Sequence, residues 1–213
     1  MRDGAVGVCF TQGNTGGNSA EVSMGDSAGI AAVVLAAGAS RRLGSPKQLA
    51  MLGDETLLER AVRLAREAGC SPVIVVLGAD YEQVLADCRL GDAVPVIHDA
   101  WEDGMGPSIA LGVRACEGVA GVVVMTCDQP AVTVQQLQAL MRGPDVKASS
   151  YGGRKGVPAF FPSRYFDELK TLIGDVGARD MLRPAEALEL ENGELDVDTV
   201  EDLERARELF GGR

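Results

Sequence analysis

Ile30-Ala31-Ala32-Val33-Val34-Leu35-Ala36-Ala37-Gly38-Ala39-Ser40-Arg41-Arg42-Leu43-Gly44-Ser45-Pro46-Lys47 reads as a buried strand that empties into a glycine-bearing loop. The first eight residues are apolar without a break, as a strand covered on both faces requires. The loop then brings three cations, Arg41, Arg42 and Lys47, within seven positions. No Asp or Glu occurs from Ile30 to Gly53, although the formal net charge of the whole chain is -11. Backbone N–H groups of a glycine-bearing loop together with Arg and Lys make an anion site, with phosphate the obvious anion. Three surface cations on a solvated turn would look the same taken alone. The position favours the anion site, because open α/β sheets bind ligands at the carboxyl ends of their strands.

The spacing excludes two common phosphate motifs. A P-loop has its lysine directly after the second glycine, whereas Gly38 and Gly44 are six apart and Lys47 lies three beyond Gly44. The Gly-x-Gly-x-x-Gly dinucleotide fingerprint is absent. At 213 residues and 46% apolar content the chain suits one α/β domain. No apolar run approaches the roughly 20 residues of a membrane span. The acidic balance argues against bulk binding of nucleic acid or an anionic membrane. The five cysteines (Cys9, Cys70, Cys88, Cys116, Cys127) form no Cys-x-x-Cys, and His98 is the only histidine, so a zinc site is not expected. An odd cysteine count without a framework, and no secretory signal, point to the reducing cytoplasm.

Residues 1–29 hold seven glycines and little periodicity, and read as a disordered or artefactual extension, with Met24 an alternative start. Residues 30–213 read as a single domain. Strands are expected at Ile30–Ala36, Pro72–Leu77, Val94–Ile97 and Gly121–Thr126, alternating with helices at Thr56–Ala68, Tyr81–Cys88, Pro107–Cys116 and Thr133–Met141. That alternation implies a parallel sheet with right-handed crossovers. Val146–Tyr151 and Val157–Phe161 read as a hairpin over the open end of the sheet. Helical pieces at Ser163–Leu172 and Gly177–Leu182 follow, then Glu186–Leu190, a short strand at Leu195–Val197, and a helix from Thr199 to Phe210 with Thr199 and Asp202 in a capping pattern.

The second strong feature is Val122-Val123-Val124-Met125-Thr126-Cys127-Asp128-Gln129-Pro130, an apolar strand with an acid at its carboxyl end. Asp128 would face the same rim as the cationic loop. A carboxylate beside cations, without histidine, suggests a hard ion, most simply Mg²⁺ on phosphate oxygens; a turn aspartate is the plainer alternative. In Leu195-Asp196-Val197-Asp198-Thr199 a strand would set Asp196 and Asp198 on one face, where either could complete the metal site; Asp198 could equally cap the last helix. Ser108 follows the glycine-punctuated loop His98-Asp99-Ala100-Trp101-Glu102-Asp103-Gly104-Met105-Gly106-Pro107 and could meet a base or a phosphate, or simply cap a helix. Trp101 reads as a loop anchor.

With these stretches placed, the chain resembles the nucleotidyltransferases of molybdenum-cofactor assembly, most of all the cytidylyltransferase branch. The resemblance runs from Ile30 to about Leu209. It rests on Leu35–Gly44 with Lys47, on Gly104-Met105-Gly106-Pro107-Ser108, on Cys127-Asp128-Gln129-Pro130, and on Gly174-Asp175-Val176-Gly177-Ala178-Arg179. It implies a Rossmann-like nucleotide-diphospho-sugar transferase fold, a mostly parallel mixed sheet flanked by helices. It sets Ala36, Ala37, Gly38, Ser40, Arg41, Gly44 and Ser108 on the nucleotide, Arg42 and Lys47 on the triphosphate, and Asp128 with Asp198 on the metal. Gly156, Val157 and Pro158 match the acceptor-side stretch, with Val157 departing from the histidine common there.

The implied reaction is attack of an acceptor phosphate on the α-phosphorus of a nucleoside triphosphate, CTP favoured, with pyrophosphate leaving. Molybdopterin is the implied acceptor, and a molybdoenzyme or its maturation factor an implied partner. Two other readings stand beside it: a sugar- or alditol-phosphate nucleotidyltransferase, and a nucleotide-binding delivery protein for a molybdoenzyme with little catalysis.

Overall fold

β1 (Ile30–Ala36) lies inside a seven-stranded sheet, and its side chains alternate between two cores. Ala32, Val34 and Ala36 point into one, Ala31, Val33 and Leu35 into the other. A strand with both faces buried needs an apolar residue at every position, which is why this stretch has no polar alternation. The computed structural model describes residues 29–174 and 177–212. The glycine-rich stretch up to residue 28, Met24 with it, and Asp175 and Val176 of the fourth motif lie outside the described residues.

After β1 the chain forms a two-stranded ribbon, β2 (Met51–Leu52) and β3 (Glu55–Thr56), then α1 (Leu57–Glu67), β4 (Val73–Leu77), α2 (Tyr81–Asp87), β5 (Val94–Ile97), α3 (Met105–Arg114), β6 (Gly121–Thr126) and α4 (Val134–Leu140). β7 (Lys147–Tyr151), β8 (Arg154–Pro162), α5 (Phe166–Leu169), α6 (Gly177–Leu182), β9 (Glu186–Glu189) and α7 (Val200–Phe210) complete it. The sheet order is β5-β4-β1-β6-β8-β7-β9. β1 pairs parallel with β4 and β6, and β4 with β5, so their carboxyl ends share one rim. β8 runs antiparallel to both β6 and β7. The expected mostly parallel mixed sheet flanked by helices is what the chain forms.

Two expectations need correction. The β7–β8 hairpin does not cover the open end of the sheet; it extends the sheet through β6. Phe160 and Phe161 explain this, since they enter opposite cores and only a strand within the sheet buries both. Leu195–Val197 is not a strand: Val197 N reaches Asp128 O at 2.9 Å and Leu195 N bonds back within its own turn to Asn192 O at 3.1 Å, too little for a ladder. Two capping boxes set helix starts, Thr56 with Glu59 on α1 and Thr199 with Asp202 on α7. Because Thr199 caps α7, Asp198 is left for another partner.

Candidate active site

The loop after β1 is held in shape by its own side chains. Gln48, 1% exposed, donates through Nε2 to the carbonyls of Ala36 at 2.7 Å and Gly38 at 3.2 Å. Ser40 Oγ accepts the Lys47 N–H at 2.7 Å, closing the loop upon itself. Gly44 turns the chain at φ +77°, a conformation that side chains with a Cβ resist. These contacts direct Lys47 inward over the ends of β1 and β6.

There Lys47 Nζ donates to Asp128 Oδ2 at 2.7 Å and to Asp198 Oδ1 at 2.6 Å. Arg42 holds the other Asp198 oxygen at 2.6 Å. Burial works against the Lys47 ammonium, but the two carboxylates outweigh it and keep its pKa well above the usual lysine range. Burial also works against the Asp198 carboxylate, and Lys47 and Arg42 nevertheless hold its pKa below the ordinary value. Asp196 is different: burial, with the charges of Asp128 and Asp198, pushes its carboxyl up to about 6. The hydrogen bonds place Asp198 with Asp128 on Lys47.

This constellation sits in a cleft of about 530 Å³ whose wall includes Ala36, Ala37, Gly38, Arg41, Lys47, Ser108 and Asp128. Arg41 reaches across the mouth to Glu102 at 2.9 Å, an exposed pair of small energetic weight. Trp101, Gly104 and Met105 complete the far wall, and Gly78 beneath allows close approach: a Cβ there would lie 2.6 Å from both the Ala37 carbonyl and Trp101 Cβ. Of the other expected residues, Ser40 and Gly44 shape the loop without lining the cleft, and Arg42 and Asp198 reach it through Lys47. Gly156, Val157 and Pro158 lie on β8, away from the wall, connected through Tyr151. The Tyr151 hydroxyl donates to Val157 O at 3.0 Å and accepts from Gln129 Nε2 at 3.1 Å, next to Asp128.

Three buried oxygens of cleft-lining side chains, Asp128 Oδ1, Thr126 Oγ1 and Gln48 Oε1, have no hydrogen-bond partner among the described residues. Buried polar atoms are normally paired, so such a group in one cleft points to a polar ligand or ion. No cluster of three or more His, Cys, Asp or Glu able to hold a metal occurs among the described residues. Asp128 and Asp198 fit a hard divalent ion that draws its remaining oxygens from phosphate and water, as Mg²⁺ commonly does. Gln48, Thr126 and Trp101 are contributors that motif spacing did not single out as binding groups; only their nearness in sequence to Lys47, Asp128 and Ser108 marked them.

Residues 32–192 match the family described as the MobA-like NTP transferase domain. The purine catabolism protein PucB of Bacillus subtilis is 35% identical over 196 residues, covering 82% of this chain and 94% of that one. Nicotine blue oxidoreductase of Paenarthrobacter nicotinovorans is 32% identical over 195 residues, 83% and 95% of the two chains. A probable molybdenum cofactor guanylyltransferase of Opitutus terrae is 36% identical over 107 residues, 48% and 50% of the two. The crystal structure of Rv0371c from Mycobacterium tuberculosis superposes with a TM-score of 0.76 at 32% identity, over 85% of this chain and 98% of that one. A manganese complex of Rv0371c has also been solved, superposing with a TM-score of 0.72 at 29% identity, over 85% of this chain and 99% of that one. No helix among the described residues is long and apolar enough to cross a membrane.

Proposed function

The chain belongs to the MobA-like NTP transferase family and is a nucleotidyltransferase, and from that premise we propose that it transfers CMP from CTP to a phosphorylated small-molecule acceptor of the molybdopterin class, releasing pyrophosphate. The observation that carries this reading is Lys47 held between Asp128 and Asp198 at the cleft where β1 and β6 end. One relative bears an oxidoreductase name, so the reading leans on that charged rim and not on likeness alone.

In this reading the nucleotide base and ribose lie along Ala36, Ala37, Gly38 and Ser108. The triphosphate meets Arg41, Arg42 and Lys47, with Ser40 and Gly44 holding the loop that carries them. An acceptor phosphate oxygen forms a bond to the α-phosphorus while the bond from that phosphorus to the β-phosphate bridging oxygen breaks, and the electron pair leaves with pyrophosphate. The acceptor monoester is already ionised near neutral pH, so the protein needs no general base. Its task is to neutralise and align two anions. Lys47, and Arg42 with it, would meet the phosphates and stabilise charge on the leaving group. Asp128 and Asp198 would hold a divalent ion, Mg²⁺ in the first instance, which supplies charge neutralisation along the phosphate oxygens. Gly156, Val157 and Pro158 would line the acceptor's approach.

Incubation with each NTP and molybdopterin, followed by pyrophosphate release, tests this. Release that depends on both CTP and the acceptor is expected. No release with any NTP, across molybdopterin and a panel of sugar and alditol phosphates, would refute it.

A further inference from the structure

His98 directly follows β5 on the rim, its backbone N–H bound to Leu77 O at 2.8 Å. Its ring is buried, with the residue only 9% exposed, and Nδ1 lies 3.0 Å from Ser108 Oγ. Ser108 stands in the first turn of α3 and is itself 4% exposed, yet it lines the cleft beside Met105. A serine hydroxyl has one proton to give and lone pairs to accept with. If that proton is spent on His98, the face that Ser108 turns to the cleft can only accept.

We propose that His98 is a positioning residue that fixes Ser108 as a hydrogen-bond acceptor toward the nucleobase, and so selects a base with an exocyclic amine; this rests on reading the cleft as an NTP site. The imidazole does this in its neutral form with the proton on Nε2, where Nδ1 is an acceptor and takes the Ser108 proton. The Ser108 oxygen then presents lone pairs to the cleft. The cytosine amine is a donor and satisfies them, whereas the matching oxygen of a uracil-type base is an acceptor and meets lone pair with lone pair. A buried polar site discriminates strongly against a partner that leaves its groups unpaired. His98 touches no ligand in this account; it acts through Ser108.

Equilibrium binding of CTP and UTP in Mg²⁺ tests it, read by the fluorescence of Trp101, the one tryptophan of the chain and part of the cleft wall. The two nucleotides differ only at the edge of the pyrimidine in question. The wild-type chain is expected to bind CTP at least about tenfold more tightly than UTP, on the order of one well-placed hydrogen bond. His98→Leu releases the Ser108 proton, and the ratio should fall toward one chiefly by a gain for UTP. Ser108→Ala, a milder change should the histidine variant fold poorly, should remove the preference chiefly by a loss for CTP. The double variant should add nothing to Ser108→Ala. A CTP/UTP ratio unchanged in a folded His98→Leu, or unchanged in Ser108→Ala, or a wild type without a preference for CTP, overturns the inference while leaving the NTP site intact. A wild type that binds no nucleoside triphosphate overturns the proposed function itself, and the inference with it.

Discussion

Lys47 Nζ donates to Asp128 Oδ2 at 2.7 Å although 81 residues separate them in the chain. Both side chains are largely withdrawn from water, at 14% and 16% exposure. Two paired parallel strands end together, and the loop held by Gln48 and Ser40 then aims its cation at the strand-end acid. Lys47→Ala would leave Asp128 without its counter-ion while Asp198 keeps Arg42. The expected cost is about 1–3 kcal/mol at neutral pH, since one partner of a partly buried pair is stranded. Urea denaturation measures it, and a variant as stable as the parent would show the pair to be energetically idle.

Asp128→Asn is expected to separate activity from folding. Lys47 keeps Asp198 as a partner, so the midpoint of unfolding should move little. Pyrophosphate release should fall by about 10²–10³-fold, the usual scale for removing one preorganised electrostatic group. Full turnover in this variant would remove Asp128 from the proposed chemistry.

Gln48 is the loop's internal brace. Gln48→Leu removes both donations, to Ala36 O and Gly38 O, and should destabilise by roughly 1–3 kcal/mol. Gln48→Glu should be worse near neutral pH, because it sets a carboxylate against two carbonyl oxygens in a site only 1% exposed. Nucleotide KM should rise in both. Thermal melting with steady-state kinetics checks this, and an unchanged KM would free the loop's shape from Gln48.

Away from the cleft, Arg63 binds Glu55 in a two-pronged contact at 2.5 and 2.9 Å and holds its carboxyl below the ordinary range. A depressed carboxylate contributes stability above its unfolded pKa, about 4.3 for glutamate, and loses it as pH falls through the folded value. Glu55→Gln should therefore cost about 0.5–1 kcal/mol at pH 7. At a pH below both values the two proteins should converge. Denaturation across acid pH reads the difference, and a penalty that persists in acid would assign it to packing.

Much of this was legible in the sequence because apolar runs and their punctuation are local. Ile30–Ala36 and Gly121–Thr126 match their strands residue for residue, and Thr199 caps the last helix as its pairing with Asp202 suggested. Lys47 and Asp128 could be assigned to one rim because strand-end position carries that information. What escaped was set by partners distant in sequence. The place of the β7–β8 hairpin depended on which edge of β6 stood free to pair with β8. That Lys47 reaches Asp198 depended on the path of the segment before α7, which alternation along a strand that does not form could not supply. Gln48 looks in sequence like any polar residue after a lysine; only its burial against two carbonyls reveals its work.

Lys47 and Asp128 are expected to serve one bound nucleotide. A crystal of the chain grown with CTP and Mn²⁺, with anomalous scattering used to locate the ion, tests it most directly. An anomalous peak is expected at Asp128, with the triphosphate of the same CTP beside Lys47. CTP bound in another cleft, or a peak that shares no ligand with the nucleotide, would contradict it.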